Sequence, residues 1–255
     1  MRRRFVLAAL VGALVIGASG CTATSSPTAP SIASPRPTGA AAASPGPIEL
    51  PADPRVYFFG DSWTNGATAA PGRGFPFVVS RSLGWTTVLG PDNSGAGFVH
   101  TFNTNHALFP EAAAALAPVD ADLIVLEGGL NDKPGPLTHF WDRVALTVQT
   151  LRAKAHGAPL VLVGPASPDG TVPEGLSAID FEEAGVAQQL GIHYISPLKE
   201  GWFNPTNVDG LIDPTTVHPD TAGHAYYAGR LAADLQRFVT TRRGTATPEP
   251  TTTAP

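Results

Sequence analysis

A serine that could act as a nucleophile stands directly after a short apolar run. Residues 56–59 (VYFF) have the β-branched and aromatic character of a buried strand, and Gly60 ends the run. Ser62 follows at the turn into the next element, where its hydroxyl would be exposed and helix-start amides would lie close by. This position suits a nucleophile whose attack creates an oxyanion. Taken alone, Asp61 and Ser62 indicate a helix cap more readily than catalysis.

Two further turns carry groups that could stabilise an oxyanion. The first is DNSGAGF at residues 92–98, in which Gly95 has no Cβ and its N–H can approach a ligand closely. The second is EGGLND at residues 127–132, in which Asn131 offers a neutral, directional donor. Asp132 could cap the next segment or hold a loop by accepting backbone hydrogen bonds. Each stretch taken alone is an ordinary turn.

The candidate general base is His218, which follows a long loop near the end of the chain. An imidazole can take a serine proton near neutral pH and return it to a leaving alcohol. His224 lies near the start of the predicted last helix and is better explained by a structural role. The few histidines lack metal-ligand spacing and this chemistry needs no metal, so we expect neither a metal nor a cofactor.

Elements that alternate between strand and helix would bring these residues together. Helical spacing of apolar residues predicts one helix over 138–156, and another is expected over 221–238. Five short strands separated by helices predict a parallel sheet covered on both faces, with its ligand crevice beyond the carboxyl ends of the strands. The candidate residues follow those ends, which favours one site over four unrelated turns. The predicted strands are 56–59, 86–89, 123–126, 160–163 and 193–195.

Four sequence blocks, in this order and spacing, resemble the SGNH hydrolases, also called the GDSL family. They are Gly60-Asp61-Ser62, Asn93-Ser94-Gly95, Gly129-Leu130-Asn131-Asp132, and His218-Pro219 with Gly223-His224. The resemblance covers about residues 55–238. It implies a three-layer α/β/α, flavodoxin-like SGNH fold with a central five-stranded parallel sheet.

The resemblance also implies a role for each matching residue. Ser62 would be the nucleophile and His218 the base. The oxyanion hole would consist of the Ser62 and Gly95 backbone amides with the Asn131 side-chain amide. Gly97 is the less favoured alternative as a backbone donor.

One position departs from the family pattern. The family usually has aspartate three residues before the histidine, where this chain has Thr215, which cannot carry the charge that stabilises an imidazolium. Three arrangements remain open: Asp213 reaches His218 through a bulged loop, the Thr215 main-chain carbonyl accepts the imidazole N–H, or the site is crippled. We favour Asp213 slightly over the carbonyl.

The first residues read as an export signal. Three arginines at 2–4 precede an apolar run of 14 residues at 5–18, which is shorter than the about 20 that a membrane span needs. The run ends in Ala18-Ser19-Gly20-Cys21, which resembles a bacterial lipobox, although Ala18 stands where leucine is more usual. We expect residues 1–20 to be a signal peptide and Cys21, the only cysteine, to be lipidated. The alternative is an ordinary signal peptide with an incidental cysteine.

Composition divides the rest of the chain into three parts. Eight of the 26 prolines lie between residues 27 and 54, and residues 21–52 are expected to be a disordered Pro/Ser/Thr/Ala-rich tether. The hydrolase domain is expected at 53–240 and a second disordered segment at 241–255. Residues 52–240 contain ten Lys and Arg against nineteen Asp and Glu, a net charge of −9. This charge disfavours nucleic-acid binding and leaves the lipid as the only expected membrane attachment.

The predicted function is hydrolysis of carboxylic esters by an exported monomer, either lipid-anchored on the outer face of a bacterial cell membrane or secreted. The resemblance leaves lipids, small esters and acetylated sugars open as substrates, and the export signal favours short acyl esters or O-acetyl groups on glycans. Trp202 and Phe203 could form an acyl pocket or sugar platform, or could be buried against the sheet. The alternative is an inactive, surface-tethered module that binds carbohydrate or a partner.

Overall fold

The computed structural model describes residues 44–242, which contain two parallel sheets. The central sheet has the order β3-β2-β4-β5-β6 and every neighbouring pair is parallel, so the predicted sheet is confirmed. The small sheet pairs β1 with β7. The strands are β1 (Ile48–Leu50), β2 (Arg55–Phe59), β3 (Thr86–Leu89), β4 (Leu123–Glu127), β5 (Leu160–Val163), β6 (His193–Ile195) and β7 (Val239–Thr241).

Helices cover both faces of the central sheet. They are α1 (Phe75–Leu83), α2 (Phe109–Ala115), α3 (Phe140–Lys154), α4 (Glu174–Leu190) and α5 (Thr221–Leu235). The cores that they form lie on opposite faces, with α1 and α5 on one and α2, α3 and α4 on the other, which confirms the three-layer fold. No helix within residues 44–242 is long and apolar enough to cross a membrane.

The predicted tether and tail extend too far into the folded chain. Ile48 and Leu50 are buried, and the Ile48 N–H donates to the Phe238 carbonyl at 2.7 Å. Strand β7 likewise includes Thr241, and α5 stops at Leu235 rather than Phe238. A three-residue strand that pairs across about 190 residues of chain leaves no local sequence pattern, which explains the error. The predicted signal peptide, Cys21, most of the tether and residues 243–255 lie outside the described part of the chain.

The long loop between β6 and α5 packs inward. Trp202 and Phe203 are 0% and 4% exposed, so they offer no surface platform. The Trp202 ring lies 4.9 Å from that of Tyr227 on α5, and the Phe203 ring lies 5.6 Å from that of Trp63 in the turn after β2. These contacts bury the aromatic surface of the loop and fix it against the turn that carries Ser62.

The start of α5 is held tightly against this same loop. Asp220 caps the helix by accepting from the Gly223 N–H at 2.8 Å, and its own N–H donates to the Leu211 carbonyl at 2.9 Å. A Cβ on Gly223 would overlap that carbonyl, whereas a Cβ on Gly229, also on α5, would meet nothing within 4 Å. The absence of a side chain at Gly223 therefore allows the His218 loop to lie on the helix.

Gly223→Ala and Gly229→Ala should change stability in opposite directions. Gly223→Ala should lower the free energy of unfolding by about 1–3 kcal/mol, because its Cβ would crowd the Leu211 backbone. Gly229→Ala, with open space and a better helix former, should stabilise by about 0.5–1 kcal/mol. Urea unfolding of both variants and the unchanged protein measures this. Equal stabilities for the two variants would show that the close packing at Gly223 is absent.

Candidate active site

The nucleophile candidate and the base candidate are in contact. Ser62 Oγ lies 2.8 Å from Nε2 of His218, although the two residues are 156 positions apart in the chain. Ser62 stands in the turn after β2 and is 7% exposed. With a neutral imidazole, the hydroxyl donates to Nε2, which is the geometry required for proton transfer to the base.

His218 is positioned by a short backbone pairing just before α5. The Asp213 N–H donates to the His218 carbonyl at 2.9 Å, and Ile212 forms a bridge with Pro219. The His218 N–H donates to Thr216 Oγ1 at 3.1 Å. Burial lowers the pKa of His218 below its ordinary value, and the negative charge of Asp213 opposes this shift. Because the imidazole is neutral near pH 7, it is ready to accept a proton.

The other imidazole nitrogen, Nδ1, is buried and has no hydrogen-bond partner among the described residues. The Asp213 carboxylate instead accepts from the Thr215 N–H at 2.8 Å and from Thr215 Oγ1 at 2.6 Å. The structure therefore brings neither the Asp213 carboxylate nor the Thr215 carbonyl into hydrogen-bonding contact with the His218 imidazole. The Asp213 carboxylate acts on the imidazole only through its charge.

Asn131 joins the nucleophile turn to the Gly95 loop. Its Nδ2 donates to Asp61 Oδ2 at 2.8 Å and to the Ala96 carbonyl at 2.9 Å. An oxyanion would compete with the Ala96 carbonyl for one of these hydrogens. Within residues 44–242, the backbone N–H groups of Ser62 and Gly95 have no acceptor, so both are available as donors. The Gly97 N–H is already used by the His100 carbonyl at 2.8 Å.

Asp132 holds the loop after β3 in place. Its carboxylate accepts the N–H groups of Phe98, Val99 and His100 at 3.0, 2.7 and 3.0 Å. Burial raises the pKa of Asp132 to about 6, although the three amides favour the charged form. A side chain on Gly97 would fill the space of the carboxylate. Asp132 therefore fixes the loop that presents Gly95, which is one of the two roles expected for it.

His224 has a structural environment, as expected from its place on α5. It is fully buried, accepts from the Phe75 N–H at 3.3 Å through Nδ1, and lies 3.1 Å from the Ala67 carbonyl through Nε2. Burial lowers its pKa, so it stays neutral. It ties α5 to the segment that follows the nucleophile turn.

Sequence reasoning missed two kinds of residue at the site. Glu127 and Thr64 form a buried hydrogen bond of 2.7 Å beneath the nucleophile turn. A glutamate at the end of an otherwise apolar strand was the available signal. Phe102 and Val217 are large apolar side chains that are 65% and 51% exposed beside Gly95 and His218. Single apolar residues in loops carry no sequence signal of this kind.

Among residues 44–242, no group of three or more His, Cys, Asp or Glu side chains is arranged to hold a metal ion. The groups that could act on a substrate are instead a hydroxyl paired with an imidazole and a set of neutral N–H donors. They stand at the carboxyl edge of a parallel sheet between two layers of helices. This combination is typical of serine hydrolases.

Comparison with known sequences gives the family. The sequence profile of the GDSL-like lipase/acylhydrolase family matches residues 58–226, so the chain belongs to this family, and the predicted membership is confirmed. GDSL lipase Rv0518 of Mycobacterium tuberculosis (strain ATCC 25618 / H37Rv) is 31% identical over 123 residues, which are 47% of this chain. The matched region spans about half of that relative, 52% of its length.

Solved structures with low sequence identity share the fold. A protein from Lactobacillus plantarum matches with a TM-score of 0.59 at 19% identity, over 73% of this chain and 98% of its own. A family two carbohydrate esterase from Cellvibrio japonicus matches with a TM-score of 0.57 at 20% identity, over 74% and 62%. TesA matches with a TM-score of 0.55 at 21% identity, over 72% and 97%.

Asp213→Asn tests how Asp213 acts on the base. Loss of its charge should lower the pKa of His218 further, so the acid limb of kcat/KM should move to lower pH, with the plateau kcat changed less than about tenfold. A contacting triad acid would instead lose about four powers of ten. The measurement is a pH–rate profile, with Asp209→Asn in the same loop as control. A loss of that size would restore Asp213 as the orienting acid.

Proposed function

We propose that the protein hydrolyses carboxylic esters through an acyl-serine intermediate. The observation that carries this proposal is the 2.8 Å contact between Ser62 Oγ and His218 Nε2. The free amides of Ser62 and Gly95 and the side chain of Asn131 support it, because they provide donors where negative charge would develop. All of these groups come from one chain, so we propose that the enzyme works as a monomer.

The reaction follows from the positions of these groups. Ser62 Oγ attacks the ester carbonyl carbon while its proton passes to His218 Nε2. The carbonyl electron pair moves to oxygen, and the oxyanion is held by the N–H donors. The intermediate collapses, and His218 gives its proton to the leaving alcohol. Water then attacks the acyl-serine by the same route, which releases the acid and restores Ser62.

We propose short acyl esters or O-acetyl groups on glycans as substrates. Because His218 protonates the leaving oxygen, the alcohol part should lie beside Val217 and the acyl part beside the Gly95 loop. Phe102 donates its N–H to the Gly95 carbonyl at 2.8 Å, and its exposed ring could support an acyl group or a sugar face. The fold shared with the Cellvibrio japonicus carbohydrate esterase is consistent with a glycan ester.

One observation favours the second candidate function, an inactive carbohydrate- or partner-binding module. His218 Nδ1 has no acidic partner among the described residues, so its tautomer is not fixed by a carboxylate. Such a module would bind acetylated glycans without turnover. Ester turnover and labelling of Ser62 by a fluorophosphonate separate the two functions.

Ser62→Ala and His218→Ala should each lower p-nitrophenyl acetate turnover by about three or more powers of ten. A fluorophosphonate should label the unchanged protein and leave Ser62→Ala unlabelled. Thermal unfolding checks that both variants are folded. No turnover of any ester together with no labelling of Ser62 would refute the enzyme and favour the binding module.

Comparing esters of acetate, butyrate and palmitate with acetylated xylan tests the substrate class. We expect the enzyme to prefer acetate and butyrate esters, or the acetyl groups of xylan, over palmitate esters. Phe102→Ala should raise KM several-fold with little change in kcat, because it removes a contact that the substrate makes equally in the ground state and in the transition state. Phe181→Ala, which alters an equally exposed ring on α4, is the control. A preference for palmitate would contradict the short-acyl proposal.

We also propose that the enzyme is exported and held on the outer face of a bacterial membrane by lipid on Cys21. The sequence 18–21 and the lack of a second cysteine support this. In a bacterial host that processes lipoproteins, Cys21→Ser should move the protein from the membrane fraction to the medium. If the unchanged protein is also found only in the medium, the secreted form is correct.

A further inference from the structure

Glu127 is a buried acid that the proposed reaction does not use. It is the last residue of β4, is 3% exposed and lies beneath the nucleophile turn. Its Oε2 accepts from Thr64 Oγ1 at 2.7 Å. Glu127 therefore binds the turn two residues after Ser62.

The close approach of Glu127 explains the glycine before the nucleophile. A Cβ on Gly60 would lie 2.7 Å from the Glu127 carbonyl oxygen and 2.9 Å from Oε2, and it would also overlap Thr64 Oγ1. Contacts this short would force the turn away from β4. Gly60 is thus required by the contact between the turn and the glutamate.

Asp61 is the second buried acid of the turn, and it is fully enclosed. It accepts from the Trp63 N–H at 2.8 Å and from Asn131 Nδ2 at 2.8 Å. Burial raises the pKa of Asp61 to about 7, but these donors are N–H groups that can only donate, so they oppose the shift and favour an ionised Asp61. The strongest donor to Glu127 is a hydroxyl, which can also accept. Of the two acids, Glu127 is therefore the one suited to the neutral form.

The surroundings of the pair are acidic. Burial raises the pKa values of Glu183 from α4 and Tyr227 from α5, and the nearby charge of Glu127 adds to both shifts, as the charge of Asp132 adds to the raised pKa of Asp61. Burial raises the pKa of Glu127 well above its ordinary value, and the nearby charge of Asp61 adds to the shift. Two adjacent buried carboxylates without a cation cannot both ionise at low cost.

We propose that Glu127 is a positioning residue which, as the neutral acid, holds the turn of Ser62 and keeps Asp61 as the single charge that orients Asn131. This inference rests on the proposed ester hydrolysis. Glu127 touches neither substrate nor reacting atoms. It acts through the Thr64 hydroxyl.

The neutral form has a direct consequence for catalysis. A second negative charge near the oxyanion would oppose its formation, and an ionised Glu127 would also disturb the bond between Asp61 and Asn131. The kcat of the unchanged enzyme should therefore fall at alkaline pH as Glu127 ionises. An amide in its place would keep the hydrogen bonds and could not ionise.

Glu127→Gln and Glu127→Leu form the central test, with p-nitrophenyl acetate as substrate. Glu127→Gln should keep kcat at pH 7 within about threefold of the wild-type value. It should also move the alkaline fall of the pH–kcat profile to higher pH. Glu127→Leu should lower kcat at least tenfold with KM within twofold, because the turn loses its acceptor. Glu111→Gln, which removes a surface acid paired with Arg143, should leave the pH profile unchanged.

Thr64 supplies a second pair of variants in case Glu127→Leu does not fold. Thr64→Val should lower kcat in the same way, and Thr64→Ser should restore it because the hydroxyl remains. Two results would overturn the proposal. One is a wild-type kcat in both Glu127→Leu and Thr64→Val, and the other is an equal loss of kcat in Glu127→Gln and Glu127→Leu.

The rate of Ser62 labelling by a fluorophosphonate gives a readout that needs no turnover. A labelled but ester-inactive wild type would count against the proposed function alone, and slower labelling of Glu127→Leu would still support the positioning role. If the wild type is neither active nor labelled, both proposals fail. Equal labelling rates in an active wild type and in Glu127→Leu would refute only the role of Glu127.

Discussion

Buried carboxyl groups hold together three loops that have little backbone pairing with one another. The loops follow β2, β3 and β4, and each contributes one part of the site. Asp61 binds the first loop to the third through Asn131, and Asp132 binds the third to the second through three backbone amides. Together with the bonds of Asn93 to the Gly60 carbonyl and of Asn131 to the Ala96 carbonyl, these bonds place the nucleophile relative to the oxyanion donors, because the sheet fixes only where each loop starts.

This arrangement replaces apolar packing by charge and hydrogen bonding where the site needs directional contacts. Burying a carboxyl group is costly unless its oxygens receive donors, and Asp61 and Asp132 receive two and three respectively. Aliphatic side chains could fill the same space, but they would not specify the direction of the Asn131 amide. The acids therefore contribute to the order of the site more than to stability.

Strand ends could be predicted from the sequence because apolar runs stop where the sheet stops. Ser62, Gly95 and Asn131 were located in this way, since each follows a strand of a parallel sheet. The surroundings of Asp213 could not be predicted as well. Its carboxylate is captured by Thr215 two residues later, a local turn that competes with any contact to His218. The burial of Trp202 depends on α5, which contacts it only after folding.

The pairing of β1 with β7 determines where the chain enters and leaves the domain. His193, at the amino end of β6, contacts the Gly46 carbonyl at 2.8 Å and stacks on Phe238 at 3.7 Å. Both ends of the described chain therefore lie at the amino edge of the strands, and the catalytic pair lies at the carboxyl edge. A group attached directly at residue 44 or residue 242 would therefore be joined at the edge of the sheet opposite the catalytic pair.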